Sequence, residues 1–125
     1  MHFVEAVLIW DYCKERSIRH IHGHFGQTTA TVCWLTADYG RRRADHGDRF
    51  GFSFTIHGPK EFLAESEASF AKKASAADYV VCVSDFTRSQ LMRITDPSGW
   101  GRFHVARCGI DIPQFRFAPK VTLSK

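Results

Sequence analysis

A chain of 125 residues with 44% hydrophobic side chains has room for one domain with a buried core, which excludes a disordered or collagen-like protein. The formal net charge of +4 and an isoelectric point near 9.0 give a mildly basic surface, favouring anionic partners without choosing among nucleotide phosphates, acidic membranes and nucleic acid. Cys13, Cys33, Cys82 and Cys108 lie in or beside apolar segments with no CxxC pair, which reads as buried thiols in a reducing compartment and not as a disulfide framework.

Phe3, Ala6, Val7 and Trp10 recur at helical spacing, and Lys14, Glu15 and Arg16 close the segment, so residues 3–16 are expected to form an amphipathic helix. The same stretch has no basic n-region and is broken by Glu5 and Asp11, so it is neither a signal peptide nor a membrane span. The expected location is therefore cytoplasmic, with peripheral contact at the inner face of the membrane left open. Residues 18–23 read as a short strand, followed by a glycine-containing turn and a helix over 28–39 that stops at Gly40. The polar stretch 41–49 reads as a loop, 51–56 as a buried strand, and 61–77, rich in Ala and Glu, as a third helix. Tyr79-Val80-Val81-Cys82-Val83 is the clearest strand, bounded by Asp78 and by Ser84, a helix-capping residue type. A fourth helix runs to Ile94, Asp96-Pro97-Ser98-Gly99 turns the chain, and Phe103–Ala106 supplies a fourth strand, with irregular chain after Gly109. This order, α-β-α-β-α-β-α-β, predicts an α/β fold: a parallel sheet of about four strands with helices on both faces.

Open parallel sheets bind ligands beyond the carboxyl ends of their strands, where loops and helix N-termini offer free backbone N–H groups. The unusual residues fall there: His22-Gly23-His24-Phe25-Gly26, His57-Gly58-Pro59, Ser84-Asp85 and Cys108-Gly109-Ile110-Asp111. Ser84 also suits a plain N-cap, and Gly26, Gly58 and Gly109 also suit plain turns. His57 is the least ordinary, because an imidazole ending an apolar strand before Gly-Pro faces the crevice and can donate, accept or relay a proton.

Four motifs, His22-Gly23-His24-Phe25-Gly26, Ser53-Phe54-Thr55-Ile56-His57-Gly58, Ala76 to Ser84, and His104 to Asp111 with Phe115, together resemble the N-terminal domain of family four glycosyltransferases. The likeness covers most of residues 18–116 and is greatest to members that build capsular, colanic-acid-type or lipopolysaccharide-like glycans. It implies a Rossmann-like, acceptor-side half of a two-domain GT-B enzyme over residues 1–116, with residues 117–125 starting the interdomain linker. Such enzymes transfer a sugar from a nucleotide diphosphate sugar to an acceptor hydroxyl with retention of anomeric configuration and need no resident cofactor or metal. On matching positions, the resemblance makes His57 the catalytic histidine and has Gly58 keep the approach open. His24 and Gly26 would line the acceptor side, Ser84 and Arg88 the cleft edge, and Gly109 and Asp111 the interdomain hinge. Implied partners are a glycan or glycolipid acceptor and a donor-binding C-terminal domain, in cis or as a separate chain. Family chains open with a β-strand and a glycine-rich loop, whereas this one begins at a later helix. The expected entity is therefore a fragment, inactive in sugar transfer by itself.

Two other readings remain. His20, His22 and His24 alternate along a strand and would project to one face, an arrangement a metal-dependent hydrolase uses, although no second HxH follows. A non-catalytic Rossmann-like binding module, or one subunit of a split glycosyltransferase, fits the same pattern. Nucleic acid is not an expected partner, since no helix-turn-helix, RNP or zinc-finger pattern occurs and the arginines form one short cluster, Arg41-Arg42-Arg43. That cluster and Lys72-Lys73 read mainly as solvated surface, with the arginines also suited to an anionic lipid surface.

Overall fold

The computed structural model describes residues 1–43 and 49–115. Helix α1 (His2–Glu15) leads into β1 (His20–His24), α2 (Thr28–Arg43), β2 (Gly51–Ile56), α3 (Glu67–Ala76), β3 (Tyr79–Cys82), α4 (Asp85–Ile94) and β4 (Phe103–Val105). The strands form one parallel sheet in the order β1-β2-β3-β4, so the chain has the expected α/β, Rossmann-like architecture. Successive strands step in one direction, and right-handed crossovers then carry α2, α3 and α4 over the same face. Side-chain contacts agree: a Cβ on Gly23 would meet Cys33 and Thr29 of α2, and Phe70 of α3 packs edge-on against Phe54 of β2.

Register explains the core. Gly23, Phe54, Val80 and Phe103 lie across from one another and turn toward the helices, with Phe52, Ile56 and Cys82 in the flanking rows. Burying each of the phenylalanines contributes about 1.5–3 kcal/mol. Helix α1 adds Ala6 and Cys13 to the interior and lays Trp10 against Gly40 of α2, where a Cβ would lie 2.4 Å from the indole Nε1. Gly40 thus serves close helix packing, which is why α2 continues past the expected stop through Arg43. The remainder of the expected 41–49 loop up to residue 48, and the expected linker over 117–125, lie outside the described residues.

Three further boundaries differ from expectation. β1 starts at His20, and the single helix expected over 61–77 is split: Pro59–Leu63 forms a 3-10 turn, and α3 begins only after Ser66, whose Oγ accepts from the Ser69 N–H at 3.3 Å. Proline sets the first turn and serine caps the second, so two starts replace one. Cys108 is exposed, contrary to the reading of four buried thiols, while Cys13, Cys33 and Cys82 are buried. Burial pushes the Cys82 thiol up to about 11, which makes it an inert core side chain. No helix among the described residues is long and apolar enough to cross a membrane.

Candidate functional site

The sheet face away from the helices carries imidazoles and hydroxyls. His22, Ser53 and Tyr79 form one cross-strand row, and His24, Thr55, Val81 and His104 form the next. The alternation expected for His20, His22 and His24 is present, but ring nitrogens of His20 and His22 are engaged within the sheet. His20 Nε2 and His22 Nδ1 each lie 2.7 Å from Ser53 Oγ, and His22 Nε2 lies 2.8 Å from Thr55 Oγ1. Tyr79 stacks against the His20 ring with centroids 5.6 Å apart and ring planes nearly parallel. Among the described residues no group of three or more His, Cys, Asp or Glu side chains is arranged to hold a metal ion. Burial first, then the neighbouring His24, His20 and His57, holds the His22 pKa below its ordinary value.

At the carboxyl edge the same face ends in a histidine pair. His24 Nδ1 and His57 Nε2 are 2.9 Å apart, a bond that requires a proton on one of the two nitrogens, and the Phe25 ring lies 4.7 Å from that of His57. Phe25 has φ 73°, a left-handed conformation costing a residue with a side chain about 1 kcal/mol or more. Beside the pair, Gly58 is in extended conformation and a Cβ there would find no atom within 4 Å, so the approach to His57 is open.

Two buried charged side chains, neither legible as functional at first reading, fix this edge. Glu61, 6% exposed, accepts the His57 N–H at 2.6 Å and the Gly58 N–H at 3.1 Å through Oε1, and the Gly26 N–H at 2.5 Å through Oε2. Lys73, fully buried, donates to the carbonyl oxygens of Gly26 at 2.7 Å and Gln27 at 3.2 Å, to Thr31 Oγ1 at 3.2 Å, and pairs with Glu65. The two peptide groups that flank the Gly26 Cα are therefore held by an anion on the N–H of one and a cation on the C=O of the other. The reading of Lys72-Lys73 as solvated surface holds for Lys72 and is corrected for Lys73. Its phase was informative: Phe70, Lys73, Ala74 and Ala77 all share the buried stripe of this segment.

Of the expected site residues, His24, His57 and Gly58 gather at one point, while Gly26 turns inward. A Cβ on Gly26 would lie 2.4 Å from Phe70 Cζ, so glycine there serves packing. Ser84, one strand farther along the edge, is engaged as the α4 cap, accepting the Thr87 N–H at 3.1 Å. Arg88, on the first turn beyond it, is half-buried, and its Nε is buried with no hydrogen-bond partner among the described residues. Asp85 next to the cap pairs with Arg107 after β4. Gly109 is open and exposed, and Asp111 accepts from Gln114 Nε2 at 2.7 Å. No protein-family model, curated protein or solved structure matches the chain.

Proposed function

We propose that this chain is the acceptor-side half of a retaining, hexosyltransferase-type GT-B glycosyltransferase resembling family four, acting in cell-surface polysaccharide or glycolipid synthesis. The observation that carries the reading is the His24–His57 pair at the carboxyl edge, beside a glycine with open space above it. An imidazole held there by a second one can bond an acceptor or donor hydroxyl and relay its proton while positive charge builds on the sugar ring. Arg88, a half-buried cation whose Nε has no partner among the described residues, suits the negative charge of a departing diphosphate. Donor recognition belongs, by the resemblance, to a second domain, so transfer by the chain alone is not expected.

Acceptor binding provides the test. The ¹⁵N-labelled chain is titrated with p-nitrophenyl glucoside, galactoside and mannoside and with an isoprenoid-diphosphate-linked saccharide. At least one of them should shift the amides of His24, Gly58 and Arg88. His57→Ala should weaken that binding about tenfold or more. Gly58→Leu should block it with the fold intact, since nothing lies within 4 Å of the added Cβ. If every probe leaves this edge unperturbed, the reading falls.

A further inference from the structure

Phe25 combines an exposed ring with a backbone that suits glycine. It directly follows β1, is 53% exposed, and sits at φ 73°, a region that glycine enters at no steric cost and phenylalanine does not. The surrounding chain holds it there. The Phe25 N–H donates to the Thr55 carbonyl at 2.9 Å, and Gly26, the next residue, is clamped by Glu61 on its N–H and by Lys73 on its carbonyl oxygen. The Phe70 ring occupies the place where a Cβ on Gly26 would stand, which closes the remaining direction of movement. A strained residue persists only where its neighbours over-determine it, and such residues collect at binding and catalytic sites. Burial repays little of the strain here, because about half of the residue stays in solvent. What the conformation secures is placement: the Phe25 ring lies 4.7 Å from the His57 ring, with the planes tilted by 41°, and His57 is itself held by His24 at 2.9 Å.

We propose that Phe25 is the platform on which the acceptor's sugar ring stacks, a role that rests on the glycosyl-transfer reading of this edge and names the part of the acceptor it grips. The acceptor is then a pyranoside recognised through its apolar C–H face, and not through a lipid or aromatic aglycone. A pyranose ring is amphipathic, with C–H groups on its faces and hydroxyls around its rim. An aromatic face is negative at its centre and attracts polarised C–H groups. The edge offers both halves of the match side by side: an exposed aromatic ring, and the imidazole of His57 to bond a rim hydroxyl of the stacked sugar. Gly58, with nothing within 4 Å of a Cβ built on it, leaves room for the rest of the acceptor.

The test adds methyl glucoside, galactoside and mannoside, which carry no aromatic or lipid group, to the probes titrated into the ¹⁵N-labelled chain. At least one of them should bind, with its ring C–H protons shifted upfield and showing nuclear Overhauser contacts to the Phe25 ring. Phe25→Gly should weaken that binding about tenfold without lowering the urea midpoint, since glycine takes φ 73° freely. Phe25→Tyr, which keeps the aromatic face, should bind within about twofold of the wild-type chain. Binding that His57→Ala weakens and Phe25→Gly leaves unchanged would overturn the platform and leave the glycosyl-transfer reading standing. Binding confined to the p-nitrophenyl and isoprenoid probes would overturn it too, because the edge would then grip an aglycone. A lowered urea midpoint in Phe25→Gly, with sugar protons unshifted in the wild-type chain, would make the ring a packing element. If no probe perturbs the edge, platform and glycosyl-transfer reading fall together.

Discussion

Lys73 concentrates the energetics of the candidate site in one side chain. Its ammonium offers three N–H groups to four acceptors, two of them the carbonyls of the loop that follows His24. Lys73→Met keeps the volume, strands those carbonyls and leaves Glu65 without its cation, so the fold should lose about 3 kcal/mol. Urea denaturation reads the loss directly. Adding Glu65→Leu should recover only part of it, because the carbonyls of Gly26 and Gln27 stay unsatisfied. Full recovery in the double variant would show that the ion pair, and not the backbone clamp, is what Lys73 supplies. At this scale the sequence was only partly legible. His57 and His24 stood out because imidazoles at strand ends are uncommon, whereas a lysine in an Ala- and Glu-rich helix looks solvated until its phase with Phe70 is noticed. Glu61 had a fainter signal, a carboxylate three residues after Gly58 in the spacing that caps a helix start. Nothing in the chain announced the left-handed Phe25, since that conformation is imposed by the bond from its N–H to the Thr55 carbonyl and by its neighbour Gly26.

Strands β1 and β2 tie the open face of the sheet to pH. His22 is wedged between Ser53 and Thr55 with His24 edge-on at 5.3 Å, and its pKa in the fold is below the ordinary 6.5. The unfolded chain takes up this proton near 6.5, while the folded chain takes it up only at lower pH. Between those two points the unfolded state holds more protons, so stability is full above 6.5 and falls as pH drops through the folded value. The urea midpoint should accordingly decrease between about pH 7.5 and about pH 5.5, and His22→Gln should flatten that dependence. A midpoint that rises on acidification would contradict the linkage. The elements themselves were legible because apolar runs and capping serines alternate along the chain, and β3 and α4 fall where Tyr79 to Ser84 put them. The strand order was not, because element order alone leaves it open. Helix ends moved where a tertiary contact, Trp10 on Gly40, overrode the local preference of glycine to stop a helix.

For the whole molecule, the surface that remains uncovered on α1 governs association. Phe3, Val4, Leu8 and Tyr12 are 56%, 63%, 64% and 54% exposed, although the helix docks on α2 through Ala6, Trp10 and Cys13. Val4, Leu8 and Tyr12 follow one another at helical spacing and so form a continuous apolar stripe, interrupted at its margins by Glu5 and Asp11. β1 is an edge of the sheet, a second place where two copies could meet, but it is short and bears imidazoles at alternate positions, which disfavours strand pairing. The helix stripe is therefore the stronger driver, and the chain should self-associate as concentration rises. Sedimentation equilibrium over roughly a hundredfold range of concentration should show a growing weight-average mass. Leu8→Glu, on an exposed position, should shift the protein toward monomer without altering its unfolding free energy in urea by more than about 0.5 kcal/mol. A wild-type chain that stays monomeric across the range would mean that the stripe is too small or too interrupted to hold two copies together. If Leu8→Glu left association unchanged, the contact would instead lie elsewhere, with the β1 edge the first place to look.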